Sequence, residues 1–187
     1  MNIQIVIYSS ILFFLSEFAL MIAKRSTKKG SKTRNDKSSL FLLWLAIPLG
    51  LTAGFFNANY QLWDVYHQTI AIVGLSVFVI GTAIRWISII QLNKGFTVDV
   101  AITENHKLKT DGMYKNNRHP SYFGLILICF GLSIAMNSVI SVLVISIPIL
   151  LAILYRIKVE EDILIMEFGK SYTDYRLHSY KLIPKIY

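Results

Sequence analysis

"SYFGLILICFGLSIAMNSVISVLVISIPILLAILY", residues 121 to 155, is an apolar run of 35 residues that could enter a membrane as one helix or as two. At about 1.5 Å of rise per residue, a single helix of that length overshoots a hydrocarbon core of about 30 Å, whereas two lean crossings joined by a tight turn just fit. Asn137 and Ser138 form the polar break where such a turn belongs. Charge separates the two options. One crossing would put Lys158, Lys170, Arg176, Lys181 and Lys185 across the membrane from "KRSTKKGSKTRNDK" (24 to 37), against the tendency of Lys and Arg to stay on the cytoplasmic side. Two crossings bring these basic groups together.

Three further apolar runs, Ile3 to Ala23, Leu40 to Phe56 and Thr69 to Leu92, each have the roughly 17 to 25 residues a membrane helix needs. With 54% hydrophobic residues and a mean hydropathy of +0.51, the chain of 187 residues is expected to be an all-α integral membrane protein. The expected architecture is five transmembrane helices with the N-terminus outside. The cytoplasmic segments are then 24 to 39, about 93 to 120, and 156 to 187, and all 19 Lys and Arg fall inside or at the inner ends of spans. The first run lacks the basic start and the small-residue cleavage site of a secretory signal, so it is expected to stay attached.

The net charge of +8 needs no polyanion once it is placed beside membrane spans, and nucleic-acid binding is not expected. The single cysteine, Cys129, rules out a disulfide framework, and His67, His106, His119 and His178 show no metal-ligand spacing, so no metal is expected.

The polar residues converge at two places. In "KNNRHPSYFG" (115 to 124), Arg118 and His119 stand at the mouth of the fourth span, with Pro120 in its first turn, where a missing N–H costs nothing. The free backbone N–H groups of that helix start suit an anion. The segment 91 to 120, with Gly95 and Gly112 as turn residues, reads as a loop folded over the membrane face. Beyond the last span, Arg156 and Glu160 are four apart and share a helix face, with Ile163, Leu164 and Phe168 continuing an apolar stripe. Gly169 is expected to cap that helix, and Ser171 with Asp174 has the spacing of a capping box for a short helix carrying Tyr172 and Tyr175. By position alone, Arg118 could equally snorkel to lipid phosphate, and Arg156 with Glu160 could be an ordinary surface pair. Glu17 and Arg85 lie at similar depth within the first and third spans, where ionisable groups are expected to pair or to line a cavity.

"DGMYKNNRHPSYFG" (111 to 124), followed about 35 residues later by "RIKVEEDILIMEFGKSYTDYRLHSYKLIP" (156 to 184), resembles the C-terminal half of the isoprenylcysteine carboxyl methyltransferase family, and more broadly the membrane methyltransferases that include phospholipid methyltransferases. With the lead-in "GTAIRWISIIQLNKGF", the resemblance covers roughly residues 81 to 184. It implies an S-adenosylmethionine-dependent methyltransferase with its cofactor held on the cytoplasmic side by the loop and the C-terminal helices. The acceptor would be lipophilic or lipid-anchored and arrive from the bilayer. Carried over by position, the cofactor site draws on His106, Lys107, Leu108, Lys109, Tyr114, His119, Pro120, Ser121, Tyr122 and Glu160, with Arg156 orienting the acceptor. "HKLK" (106 to 109) is more basic than the strip common in the family, which points to backbone contacts there. The single domain 1 to 187 would divide into scaffold helices (1 to 80) and a catalytic half (81 to 187).

A carboxylate acceptor is already nucleophilic and needs only a cation such as Arg156 to orient it, whereas an amine must first lose a proton. Isoprenylcysteine-like carboxyl methylation is therefore the leading expectation and phospholipid amine N-methylation the alternative. A membrane sterol-type reductase also resembles the Arg-His-Pro region, but Ser121 and Leu125 stand where that group is expected to carry Asn and Glu. A non-enzymatic docking subunit is the third class, separable by whether S-adenosylmethionine binds saturably.

Overall fold

Every apolar run folds as a helix in the computed structural model, which describes residues 3–23, 37–60, 65, 67–92, 108–183 and 186. The helices are α1 (Ile3–Ala23), α2 (Lys37–Asn59), α3 (Gln68–Leu92), α4 (Pro120–Ala135), α5 (Val139–Phe168) and α6 (Lys170–Leu177). The described residues contain no strand beyond one isolated bridge, Asn117 to Tyr180. The long run breaks where its polar residues stand. Asn137 takes a positive φ of 57°, its carbonyl accepts from Val65 N–H at 2.9 Å, and Ser138 caps α5 by accepting from Ser141 N–H at 3.4 Å. Among the described residues, four helices (α1, α2, α3 and α5) are long and apolar enough to cross a membrane, and α4 is a shorter apolar helix. The molecule is an all-helical integral membrane protein.

Two seams hold the bundle. Gly74 and Gly81 of α3 face Gly131 and Gly124 of α4, seven residues apart on each helix, so the two antiparallel backbones touch. A Cβ at Gly131 would sit 2.4 Å from Phe78 N, and one at Gly124 2.6 Å from Arg85 N, so no side chain fits there. Such small-residue seams give close van der Waals packing where lipid supplies no hydrophobic drive between helices. The second seam joins α2 to α5, where the buried Ser141 hydroxyl donates to the Gly54 carbonyl at 2.8 Å. α1 is attached more lightly, burying Val6, Phe13 and Leu20 at seven-residue intervals.

At the polar end, Gly112 (φ +60°) opens a 3₁₀ turn over Gly112–Lys115, whose Met113 N–H donates to Gln91 Oε1 of α3 at 2.8 Å. α5 runs 30 residues, well past the bundle, and ends at Gly169 with φ +52°. A Cβ on Gly169 would meet nothing within 4 Å, so the backbone angle alone favours glycine there. The capping box expected from Ser171 and Asp174 does not form: α6 starts two residues earlier, with Gly169 as its N-cap and no side-chain cap hydrogen bond. The same glycine ends one helix and starts the next, so the chain turns before Ser171 could act.

Candidate active site at one end of the bundle

The N-terminus of α4, the C-terminal parts of α1, α3 and α5, and the start of α2 meet at one end of the molecule. Pro120 occupies the first turn of α4, as its lack of an N–H allows, and His119 is the residue before it. α5 delivers its charged side chains to this point because Arg156, Glu160 and Glu161 follow within about two turns of the apolar core residue Ile153.

Two hydrogen-bonded groups result. In the first, Arg156, 2% exposed, donates from Nε to the Tyr122 hydroxyl at 2.9 Å and from Nη1 to Ser39 Oγ at 2.9 Å. The Tyr122 hydroxyl donates in turn to Glu160 Oε2 at 2.8 Å. Arg156 and Glu160, four apart on one helix face, are thus bridged through a phenol from α4. The second group surrounds Glu161, 4% exposed. Its Oε1 accepts from Arg118 Nε at 2.8 Å and from the Tyr172 hydroxyl at 3.3 Å, and lies 3.3 Å from His119 Nε2; Lys181 Nζ is 3.9 Å from Oε2.

The tail closes over this second group. Arg118 Nη1 donates to the carbonyls of Arg176 (3.2 Å) and Ser179 (2.5 Å), and Asn117 Nδ2 to that of Leu182 at 2.7 Å. The backbones of Asn116 and Arg118 pair with Tyr180, and the Tyr175 hydroxyl bonds the Tyr114 carbonyl. Burial pushes the phenols of Tyr114, Tyr172 and Tyr175 above their ordinary range, that of Tyr175 to about 12, so all three are protonated donors at neutral pH.

Below this polar cap lies a cavity lined by Phe13, Phe14, Glu17 and Leu20 of α1, by Leu40, Leu43, Trp44, Ile47 and Pro48 of α2, and by Arg85, Ser121, Tyr122 and Arg156. Glu17 and Arg85 pair across it, Nε to Oε1 and Nη2 to Oε2, both at 2.6 Å, and Arg85 Nη1 donates to the Ser121 carbonyl at 3.1 Å. The pairing anticipated from their shared depth is present.

Of the anticipated site residues, His119, Pro120, Ser121, Tyr122, Arg156 and Glu160 gather around the start of α4. Tyr114 is buried nearby, its hydroxyl 3.3 Å from the Ser88 carbonyl. Leu108 is half-buried, and Lys109 pairs with Asp111 at 2.8 Å. His106 and Lys107 lie outside the described residues. Glu161, Tyr172 and Ser39 join the site although none was among the anticipated site residues. The signal for Glu161 was the arginine at 118, a fixed cation at a helix mouth that needs a buried partner.

A polar cap set on a bundle of apolar helices, with a cavity beneath it that carries charged side chains, is an arrangement suited to a membrane enzyme. Comparison with known proteins gives the family. The model for the isoprenylcysteine carboxyl methyltransferase family matches residues 72–166, half of the chain. Protein-S-isoprenylcysteine O-methyltransferase B of Arabidopsis thaliana is 29% identical over 170 residues, covering 88% of this chain and 84% of that protein. Protein-S-isoprenylcysteine O-methyltransferase of Dictyostelium discoideum is 33% identical over 117 residues, covering 62% of this chain and 49% of that one. A solved structure of the eukaryotic intramembrane Ras methyltransferase of this family shares the fold, with a TM-score of 0.64 at 23% identity over 81% of this chain and 54% of its own. The chain belongs to the isoprenylcysteine carboxyl methyltransferase family and is a methyltransferase.

Proposed function

We propose that this chain transfers a methyl group from S-adenosylmethionine to the carboxylate of an isoprenylcysteine-like, lipid-anchored acceptor at the cytoplasmic face of a membrane. The observation that carries the reading is the hydrogen-bonded chain from Arg156 through Tyr122 to Glu160, which ties the cavity beneath the cap to the polar groups above it. The curated relatives named as O-methyltransferases support the same acceptor chemistry.

The residues present fit the donor. Glu160 and the Tyr122 ring offer a carboxylate and an aromatic face to its cationic groups, and the start of α4 offers backbone N–H groups to its carboxylate. Bound there, S-adenosylmethionine would supply an electrophilic methyl and a neutral thioether leaving group. The chain's own task is alignment and exclusion of water. Arg156, held by Tyr122 and Ser39, presents a guanidinium to the acceptor's carboxylate, which needs no base because it is already nucleophilic. Leu40, Leu43 and Trp44 form an apolar wall for the lipophilic part.

In this reading α4 and α5 both cross the bilayer, making five crossings with the N-terminus outside. Residues 81 to 187 form the catalytic half of one domain and the earlier helices its scaffold. The 16 residues of α4 span only about 24 Å, so its start sits near the hydrocarbon boundary and lowers the site toward the acceptor. The test is incubation of purified protein with methyl-labelled S-adenosylmethionine and N-acetyl-S-farnesylcysteine. A base-labile label marks a methyl ester and supports the reading, while a base-stable label, or none, contradicts it.

A further inference from the structure

Glu17 and Arg85 form an ion pair between side chains only 15% and 7% exposed, within the membrane part of the bundle. Such a pair contributes little net stability, because desolvation offsets the Coulombic gain, and ionisable groups at this depth tend to mark ligand paths. Two observations connect this one to a ligand. Arg85 and Arg156 are anchored on consecutive residues of α4, the Ser121 carbonyl and the Tyr122 hydroxyl, and both line the same cavity. That cavity holds about 50 Å³, room for a few waters and not for a prenyl chain, and one of its walls is the lightly attached α1, which carries Glu17.

We propose that Glu17 is an internal stand-in for the acceptor's carboxylate: it holds Arg85 until the incoming carboxylate takes its place, and it thereby sets specificity for an acidic headgroup. This rests on the carboxyl-transfer reading above. The bidentate fork that Arg85 makes with Glu17 is the geometry any carboxylate makes with a guanidinium, so one acid can replace the other without leaving the buried cation unpaired. A neutral amide cannot make the exchange and binds only through its farnesyl group, with the Glu17–Arg85 pair intact, and a cationic amine is repelled by two guanidiniums. Glu17, six residues from the end of α1, swings toward interfacial water once released. Its departure removes the polar tie between α1 and α3 and lets the cavity widen for the prenyl chain.

The experiment uses the full-length protein in detergent, with N-acetyl-S-farnesylcysteine as acceptor and its carboxamide as competitive inhibitor. Glu17→Gln removes the competing carboxylate. The KM for the acid should fall at least threefold, while the inhibition constant of the carboxamide and the affinity for S-adenosylmethionine stay within twofold of wild type. Glu17→Gln with Arg85→Gln leaves no buried charge to misfold around and should keep the thermal midpoint, yet raise the KM for the acid more than tenfold without changing carboxamide inhibition. A KM and an inhibition constant that move in parallel, or a double variant that still prefers the acid as wild type does, overturn the proposal. If wild type itself fails to methylate the acid, the carboxyl-transfer reading falls and takes this inference with it. Unaffected variants of an active wild type sink the inference alone.

Discussion

Glu161 gathers Arg118, His119 and Tyr172 around one carboxylate oxygen, while its neighbour Glu160 takes a single phenol that leads to Arg156. Their roles separate because successive helix residues point about 100° apart, so one glutamate faces the tail and the other α4. Sequence adjacency made the pair visible but left no means of assigning its members. The partner of Glu161 is 43 residues away, and Arg118 by itself reads equally well as a lipid anchor. Glu161→Gln leaves Arg118 buried without its counter-charge, for which a loss of about 3 to 5 kcal/mol is expected. The check is the thermal midpoint in detergent together with proteolysis of the tail, both of which should leave Glu160→Gln nearly unchanged. The buried phenols give a pH prediction of definite sign. Their folded pKa values lie above the ordinary value of 10.0, so their contribution to the cap is fully present below pH 10 and is lost as pH rises toward about 12, the folded value of Tyr175. Tyrosinate absorbance should show a late-titrating fraction in wild type that shifts down toward 10 in Glu161→Gln, whose cap is loosened.

The apolar runs became helices close to their sequence bounds because an unbroken hydrophobic stretch in a bilayer has no other way to satisfy its backbone. The turn at Asn137 was legible because Asn137 and Ser138 are two adjacent polar residues near the middle of the long run. Two features were not legible. The start of α6 depends on the positive φ of Gly169, which overrode the Ser171 and Asp174 spacing. The glycine seam between α3 and α4 is written as a seven-residue interval in each helix, but glycines in a membrane helix are common, and their partners are known only once the helices are paired. Gly131→Leu forces side-chain atoms into the backbone of Phe78 and must push the helices apart. Overpacking of this kind costs about 1 to 3 kcal/mol, and here it also shifts Arg85 relative to Ser121. The expected result is a lower thermal midpoint with a larger loss of turnover, while Gly169→Ala, strained in φ but free of clashes, should loosen only the tail.

The candidate site has two sides, a polar cap built by the 3₁₀ turn, α4, α5 and α6, and a cavity walled by α1 and α2. That α2 contributes Ser39 to Arg156 was not legible beforehand, since a serine at a helix start is ordinary. Single cysteines placed at Ser179 and Asn137, in a Cys129→Ser background, should be labelled from opposite faces of sealed vesicles. Labelling from the same face would exclude the five-crossing arrangement. In the proposed reaction Tyr122 separates two roles, with Glu160 serving the donor and Arg156 the acceptor. Calorimetric titration of S-adenosylmethionine into detergent-solubilised wild type, Glu160→Gln and Arg156→Ala tests it directly. Glu160→Gln should weaken binding by about 1.5 to 3 kcal/mol, the range for a hydrogen bond to a charged group, and Arg156→Ala should bind like wild type while losing turnover. Folded Glu160→Gln binding the donor as tightly as wild type, or Arg156→Ala losing donor affinity to the same degree as Glu160→Gln, would contradict it.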